Sequence, residues 1–370
     1  MAFRFQDPQQ ISTFLSTDRS GVQFTPEYSH SHFFFAVSNS SYRVKAADLM
    51  REQAAIMQEI FRTSGKTKCT VFYTREFNPS NLMDQFFSLN PELKKMYARG
   101  RLEFQLIPHK MKIWAQDFGQ GALRKDGSYE FMTGIEVDPK VQNISRANIN
   151  SFYEKIPVTQ IPLAFEGGDV ATTMLDGKKT VVIGPQTANT TRIYYERLGY
   201  KISDNEIKKI LQHAFNADKI ILLGCDNNTY LTIPYIFHLD QAIFFPKADV
   251  AVIIDPDSIT DKRMHDGLVE YSRQLEEAGF KVIKIPSTVD HIKKYQAYVN
   301  SIALTSDTVK ILMPSFGDSL LEQKIKEILE LNGFQVVFIA NTTYPGQGNI
   351  HCITGGFARL VDAMTPKKIV

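Results

Sequence analysis

The feature that most constrains the fold is the return of one unit along the chain, a stretch with helical periodicity followed closely by a short β-branched or aromatic run. Ala46 to Arg62 precedes Cys69-Thr70-Val71-Phe72-Tyr73, and Ser80 to Arg99 precedes Leu102-Glu103-Phe104-Gln105-Leu106. The unit returns as Glu206 to Asn216 before Lys219-Ile220-Ile221-Leu222-Leu223, as Asp261 to Ala278 before Phe280-Lys281-Val282-Ile283, and as Ser319 to Leu331 before Phe334-Gln335-Val336-Val337-Phe338. Helices that bury one face alternate with short strands they can cover, which predicts an α/β fold. The last two helices run into Ala-Gly-Phe and Asn-Gly-Phe, so Gly279 and Gly333 are expected in the left-handed conformation that closes a helix. No Pro- or Ser-rich linker divides the chain. Repetition without a linker favours a closed or stacked repeat over two unrelated domains. Residues 1–27 read as a polar extension and residues 28–370 as a single domain.

Charge and cysteine usage exclude several function classes. Forty-two Lys and Arg against 40 Asp and Glu give a formal charge of +2, and no basic block is long enough to follow a phosphate backbone, so no nucleic-acid partner is expected. Cys69, Cys225 and Cys352 are far apart and show no zinc or disulfide spacing, which fits a reducing compartment and no metal site. The N-terminus lacks the apolar core of a signal peptide, and no apolar run reaches the roughly 20 residues of a membrane helix. The expectation is a soluble cytoplasmic protein without a membrane partner, with signal-less secretion left open. Neither Gly-x-Gly-x-x-Gly between a strand and a helix nor a P-loop sequence is present, so a nucleotide site is not indicated.

Four segments place polar or ionisable residues beside glycines or directly after apolar runs: Ile113-Trp114-Ala115-Gln116-Asp117-Phe118-Gly119, Phe165-Glu166-Gly167-Gly168-Asp169-Val170, Phe237-His238-Leu239-Asp240, and Gly346 through Gly356 around Cys352. Singly, each has a bland reading as a cap or a turn. Together they hold a Cys, a His and three carboxylates, the parts of a nucleophile, its acid/base partner and a cation site. If Phe237 to Asp240 were a strand, His238 and Asp240 would project to one side and Phe237 and Leu239 to the other. Cys352 sits among glycines that allow close approach of backbone to a ligand, whereas Cys69 and Cys225 lie in apolar runs and read as inert core. By strand alternation His351 would face away from Cys352, and it is read as structural.

At these segments the sequence resembles the guanidine-modifying, or pentein, superfamily of arginine, agmatine and peptidylarginine deiminases, dimethylarginine hydrolases and amidinotransferases. Gly348-Asn349-Ile350-His351-Cys352-Ile353-Thr354 is similar to the nucleophile loop of agmatine deiminases, Glu166-Gly167-Gly168 to the segment of arginine deiminases and dimethylarginine hydrolases, and His238-Leu239-Asp240 to the superfamily's His-x-Asp. Trp114-Ala115-Gln116-Asp117 resembles the Trp-x-Gln-Asp of peptidylarginine deiminases, since arginine and agmatine deiminases usually carry Arg before Asp. The segment after Cys352 also lacks the Gln run of agmatine deiminases. The resemblance implies a propeller of five αβ modules with pseudo-fivefold symmetry and a central site. The long interval between Asp240 and Cys352 would then hold one module, about residues 248 to 316, that supplies no site residue.

The resemblance also implies roles. Cys352 is the nucleophile, His238 the acid/base and Glu166 its orienting partner. Asp117 and Asp240 bind the guanidinium, with Trp114, Asp169, Gly348 and Asn349 as secondary binding candidates. A planar cation gripped by two carboxylates suits paired charge-assisted hydrogen bonds. The expected activity is hydrolysis of a guanidinium to a ureido product and ammonia through a thiouronium on Cys352, with no cofactor. The partner is a small guanidino compound or a protein's arginine side chain, with a homo-oligomer allowed. Arg192 and Arg359 are candidate anchors for a substrate carboxylate, against a solvated surface role for each. The alternatives are an amidinotransferase, a dimethylarginine-type hydrolase, a binding propeller like the ribosome anti-association factors, and a papain-like hydrolase. The last is disfavoured because Cys352 follows His238 in the chain.

Overall fold

A computed structural model describes residues 9–38, 44–107, 113–116, 119–126, 129–135, 158–226 and 229–358. Among them, helix α1 (Gln9–Leu15) and strand β1 (Val22–Gln23) precede β2 (His30–Val37), α2 (Ala46–Thr63), β3 (Lys68–Thr74), α3 (Pro79–Leu89), α4 (Pro91–Ala98) and β4 (Leu102–Ile107). The stretch read as one helix from Ser80 to Arg99 is therefore two. Pro91 has no N–H to continue the first helix, and the Asn90 side chain accepts from Glu92 N to start the second.

The same sheet plan recurs five times, with a first strand antiparallel to the second and the second parallel to the third. It is made by β5 (Gln120–Arg124), β6 (Tyr129–Thr133) and β7 (Val158–Gln160), and again by β8 (Val170–Leu175), β9 (Lys178–Ile183) and, after α5 (Pro185–Arg197) and α6 (Asp204–Phe215), β10 (Lys219–Leu222). A two-stranded ribbon, β11 (Cys225–Asp226) and β12 (Thr229–Tyr230), follows. The plan returns in β13 (Ile243–Lys247), β14 (Val250–Ile254), α7 (Lys262–Ala278) and β15 (Lys281–Ile285), then in β16 (Ile302–Leu304), β17 (Lys310–Ser315), α8 (Ser319–Leu331) and β18 (Gln335–Ala340). In the remaining sheet the first strand comes from the far end of the chain, since β19 (Gly355–Ala358) runs antiparallel to β2, and β3 and β4 follow in parallel. The result is a mixed α/β fold.

Helix boundaries follow local chemistry. Ser203 and Glu206 form a capping box on α6, Asp261 accepts from Arg263 N and Met264 N at the start of α7, and Gly279 ends α7 with φ of 109°. Residues 9–27 correct the reading of a polar extension. Ile11 and Phe14 of α1 are buried in the same apolar cluster as Ile207, Ile210 and Ala214 of α6, and β1 pairs with β5. Arg19 is buried, 2.6 Å from Glu130 and bonded to the Ala214 carbonyl. The segment's polar composition hides a short helix with one apolar side and, beyond its end, a buried cation that has a partner.

Candidate active site

In each of the five sheets that share the recurring plan, the residues just before the first, antiparallel strand turn to a common place. They are Trp114–Gln116 before β5, Glu166–Asp169 before β8, His238–Gln241 before β13, Asn300 before β16 and Asn349–Thr354 before β19. Hydrogen bonds link these segments in a closed circuit. Gln116 N donates to Cys352 O at 3.1 Å, Gln116 Nε2 to Gly167 O at 3.5 Å, Leu239 N to Asp169 Oδ1 at 3.1 Å, and Asn300 Nδ2 to Asp240 O at 3.2 Å. Asn300 Oδ1 closes the circuit by accepting from His351 N at 3.0 Å and Cys352 N at 3.3 Å.

Cys352 is buried in a tight turn in which Ile353 N donates to Asn349 O and Thr354 N to His351 O. Its thiol donates to Asp240 Oδ2 at 3.4 Å, and the Asn300 amide donates to the sulfur at 3.2 Å. Asp240 Oδ2 also accepts from His351 Nδ1 at 2.9 Å. Asp240 Oδ1 is buried and has no donor among the described residues. A bare carboxylate oxygen in a low-dielectric interior is costly, so a cationic donor brought by a ligand gains there what water would otherwise supply. In the neighbouring segments, His238 Nε2 lies 3.0 Å from Glu166 Oε2, with the Glu166 side chain 38% exposed and that of His238 13% exposed. A thiol with an amide donor, a carboxylate oxygen without a donor among the described residues and a carboxylate-oriented imidazole are groups of the kind that can attack, bind a cation and move a proton.

The loop that carries Cys352 is shaped by Trp114. Its indole lies across Gly346 and Gly348, and a Cβ on Gly348 would stand 2.4 Å from Trp114 Cζ3. The glycines thus approach the protein's own tryptophan. Glu52 of α2 braces the start of the same loop through Asn341, Thr342 and Thr343.

The sequence profile of the Porphyromonas-type peptidyl-arginine deiminase family matches residues 29–356. The chain belongs to that family. It is a family of guanidine-modifying enzymes of the pentein superfamily. Among solved structures, the agmatine deiminase of Enterococcus faecalis superposes with a TM-score of 0.65 at 16% identity, covering 93% of this chain and 97% of that one. A Porphyromonas gingivalis protein described as an arginine deiminase gives 0.64 at 15% identity over 91% and 98%, and the agmatine deiminase of C. jejuni 0.63 at 13% over 93% and 99%. These likenesses establish the shared fold. No curated protein sequence matches the chain.

The deiminase fold brings Cys352, Asp240 and Asn349 together on one side and His238 and Glu166 on another, while Asp117 and Arg359 lie outside the described residues. Asp169 turns inward instead, accepting from Thr187 N at 2.7 Å, Thr187 Oγ1 at 2.6 Å and Leu239 N, and burial pushes it up to about 6 against the nearby His238 and these donors. Asn349 donates to Tyr295 O at 2.9 Å, its Oδ1 is buried without a partner among the described residues, and Gly348 O accepts from Thr343. Arg192 is held by Asp204 at 2.7 Å and lies over the Tyr230 ring.

Three expectations need correction. Phe237 to Asp240 is no strand, since His238 caps a 3-10 turn over Leu239–Gln241; Phe237 is exposed and Leu239 buried, so the alternation does not apply. Likewise His351 stands in a turn, where neighbours share a side, and it faces Asp240 beside Cys352. The stretch 248 to 316 spans parts of two sheets, and it does supply a site residue, Asn300. Only the alignment of the five repeats would have singled out Asn300, as the residue that precedes a first strand where the other segments carry their polar groups.

Proposed function

We propose that the protein hydrolyses the guanidinium group of arginine or an arginine derivative to a ureido product and ammonia through a covalent adduct on Cys352. The observation that carries this reading is the pairing of Cys352 Sγ, 3.4 Å from Asp240 Oδ2, with Oδ1 of the same carboxylate, which has no donor among the described residues. A guanidinium seated on Oδ1, and on Asp117 as the second carboxylate, would lie against the sulfur and favour the thiolate by its positive charge. The thiolate attacks the guanidinium carbon, a sulfur–carbon bond forms, and the carbon–nitrogen bond breaks as His238 gives a proton to the departing nitrogen. Water then adds to the thiouronium carbon, His238 takes its proton, and the sulfur leaves. Glu166 keeps the His238 imidazole oriented through both steps. We read the five sheets as five modules of one ring around these groups, supported by the recurring strand plan and the closed hydrogen-bond circuit. A neighbour in fold, a Cys-to-Ser form of the C. jejuni agmatine deiminase, has been solved with substrate bound. For this chain, Gln116 before Asp117 favours an arginine side chain or its small analogues over agmatine alone.

The test is turnover of arginine, agmatine, dimethylarginine and an arginine-containing peptide by wild type and Cys352→Ala, with ureido product and ammonia measured. Wild-type turnover of one substrate, absent in the variant, with the adduct mass found on the Cys352 peptide, is the expected result. Turnover that survives in Cys352→Ala overturns the reading, as does a product that appears only with an amine acceptor.

A further inference from the structure

A buried polar chain continues beyond Asp240 and takes no part in the steps above. His351 donates from Nδ1 to Asp240 Oδ2, and its Nε2 lies 3.8 Å from Glu27 Oε2. Glu27 opens a 3-10 turn, Glu27–Ser29, which the N-terminal segment inserts among β8, β13, β16 and β19. A cavity of about 30 Å³ adjoins the gap, lined by Glu27, His30, Gln116, Ser301, His351 and Thr354, enough room for a bridging water. The neighbouring strands bring uncharged groups to Glu27: Gln120 Nε2 at 3.4 Å from β5, Thr172 from β8, Phe244 and Phe245 from β13 and Ile302 from β16. The titratable groups that face it are His351, Asp240, Tyr28 and His30, and burial holds His30 down at about 3, hence neutral. Burial pushes Glu27 up to about 7, with His351 opposing and the charge of Asp240 adding.

We propose that Glu27 and His351 are positioning residues for the nucleophile, Glu27 fixing the imidazole and His351 fixing Asp240 Oδ2 against Cys352 so that Oδ1 stays presented to substrate. The inference rests on Cys352 being the nucleophile. It makes the N-terminal segment part of the working site.

The experiment compares wild type with Glu27→Gln, His351→Ala and His351→Asn in kcat/KM and in the rate at which iodoacetamide alkylates Cys352, read by peptide mass between about pH 5 and 9, where alkylation tracks the thiolate. Glu27→Gln is expected to remove a transition near pH 7 from the wild-type alkylation profile. His351→Ala is expected to lower kcat/KM by about tenfold to a hundredfold, the range for a catalytic group displaced by about an ångström, and His351→Asn, which keeps a donor near Nδ1, to recover part of it. Profiles that superimpose on wild type overturn the proposal, as does a loss that only follows a lowered melting temperature. If Glu27→Gln does not fold, the two His351 variants decide by their difference. Alkylation needs no substrate, so a wild type that turns over no guanidine counts against the functional reading, while normal turnover with unchanged variant profiles counts against this one.

Discussion

Two carboxylates, both almost wholly buried, stand at the Cys352 loop and differ in how their oxygens are used. Glu52 reaches the loop from α2 and accepts from Asn341 Nδ2 at 2.7 Å, Thr342 N at 2.8 Å and Thr342 Oγ1 at 3.1 Å, with Thr343 Oγ1 at 3.3 Å. Each of its oxygens has a donor. Asp240 crowds the thiol of Cys352 and the imidazole of His351 onto Oδ2 and leaves Oδ1 bare among the described residues. Burial weighs on both, but of the two only Asp240 keeps an oxygen with no donor among the described residues. Under the proposed binding role of Asp240, burial alone does not separate a scaffold carboxylate from a binding one, whereas the count of filled oxygens does. By that measure Asp169, with three donors, stands with Glu52.

If the distinction is real, the two sites should fail in different ways. Asp240→Asn replaces the bare oxygen and its charge, and kcat/KM is expected to fall by about 10²–10³-fold, the scale of breaking a buried ion pair worth about 3–5 kcal/mol. Its melting temperature should stay close to wild type, because the Asn side chain keeps an oxygen to accept from His351 Nδ1 on the Oδ2 side, and the oxygen that is replaced had no donor among the described residues. Steady-state kinetics beside calorimetry checks this, and a large drop in stability with near-normal turnover would erase the contrast with Glu52. Gly348→Ala is milder. Its Cβ would meet Trp114 at 2.4 and 2.8 Å, so the loop must shift, and kcat is expected to fall about tenfold to a hundredfold. Trimming the tryptophan in a Gly348→Ala, Trp114→Phe double variant should restore part of the loss if the collision is its cause.

The sequence carried most of the frame and part of this contrast. Helices α2, α6, α7 and α8 fall within a few residues of their periodic stretches because each buries one stripe, and Gly279 and Gly333 take positive φ as read. Pro91 was a visible break inside what was read as one helix. The nucleophile turn was visible from its residue types, yet its geometry was not. His351 and Asp240 meet through a turn and a 3-10 cap, local structures that a strand period cannot express. Glu27 and Asn300 reach the site through long-range contacts, and neither carries a local pattern, so only the assembled repeat reveals them. Glu52 is the sharpest case, since nothing in the Ala46 to Arg62 stretch singles it out, although it is buried and its partners lie near residue 342.

The smallest expected effect is also the most direct test of what fills Glu52. Burial pushes its carboxyl up to about 7 from an ordinary 4.5, opposed by the donors from Thr342 and Thr343. The native state therefore holds this proton more tightly than the unfolded chain. The stability linked to it is fully present below about 4.5 and is lost as pH rises through about 7, while Glu27 and Asp169 act in the same sense. Glu52→Gln removes this one titration, so its melting temperature should fall less steeply than that of wild type between about pH 5 and 7.5, a residual slope remaining from the other two acids. Glu52→Ala, which strips the donors of their acceptor, should cost about 1–3 kcal/mol at either pH, with kcat/KM of the folded enzyme within about threefold of wild type. Were Glu52→Ala instead to lose turnover as heavily as Asp240→Asn while keeping its stability, filled oxygens would no longer mark a scaffold, and Glu52 would have to be counted with the site.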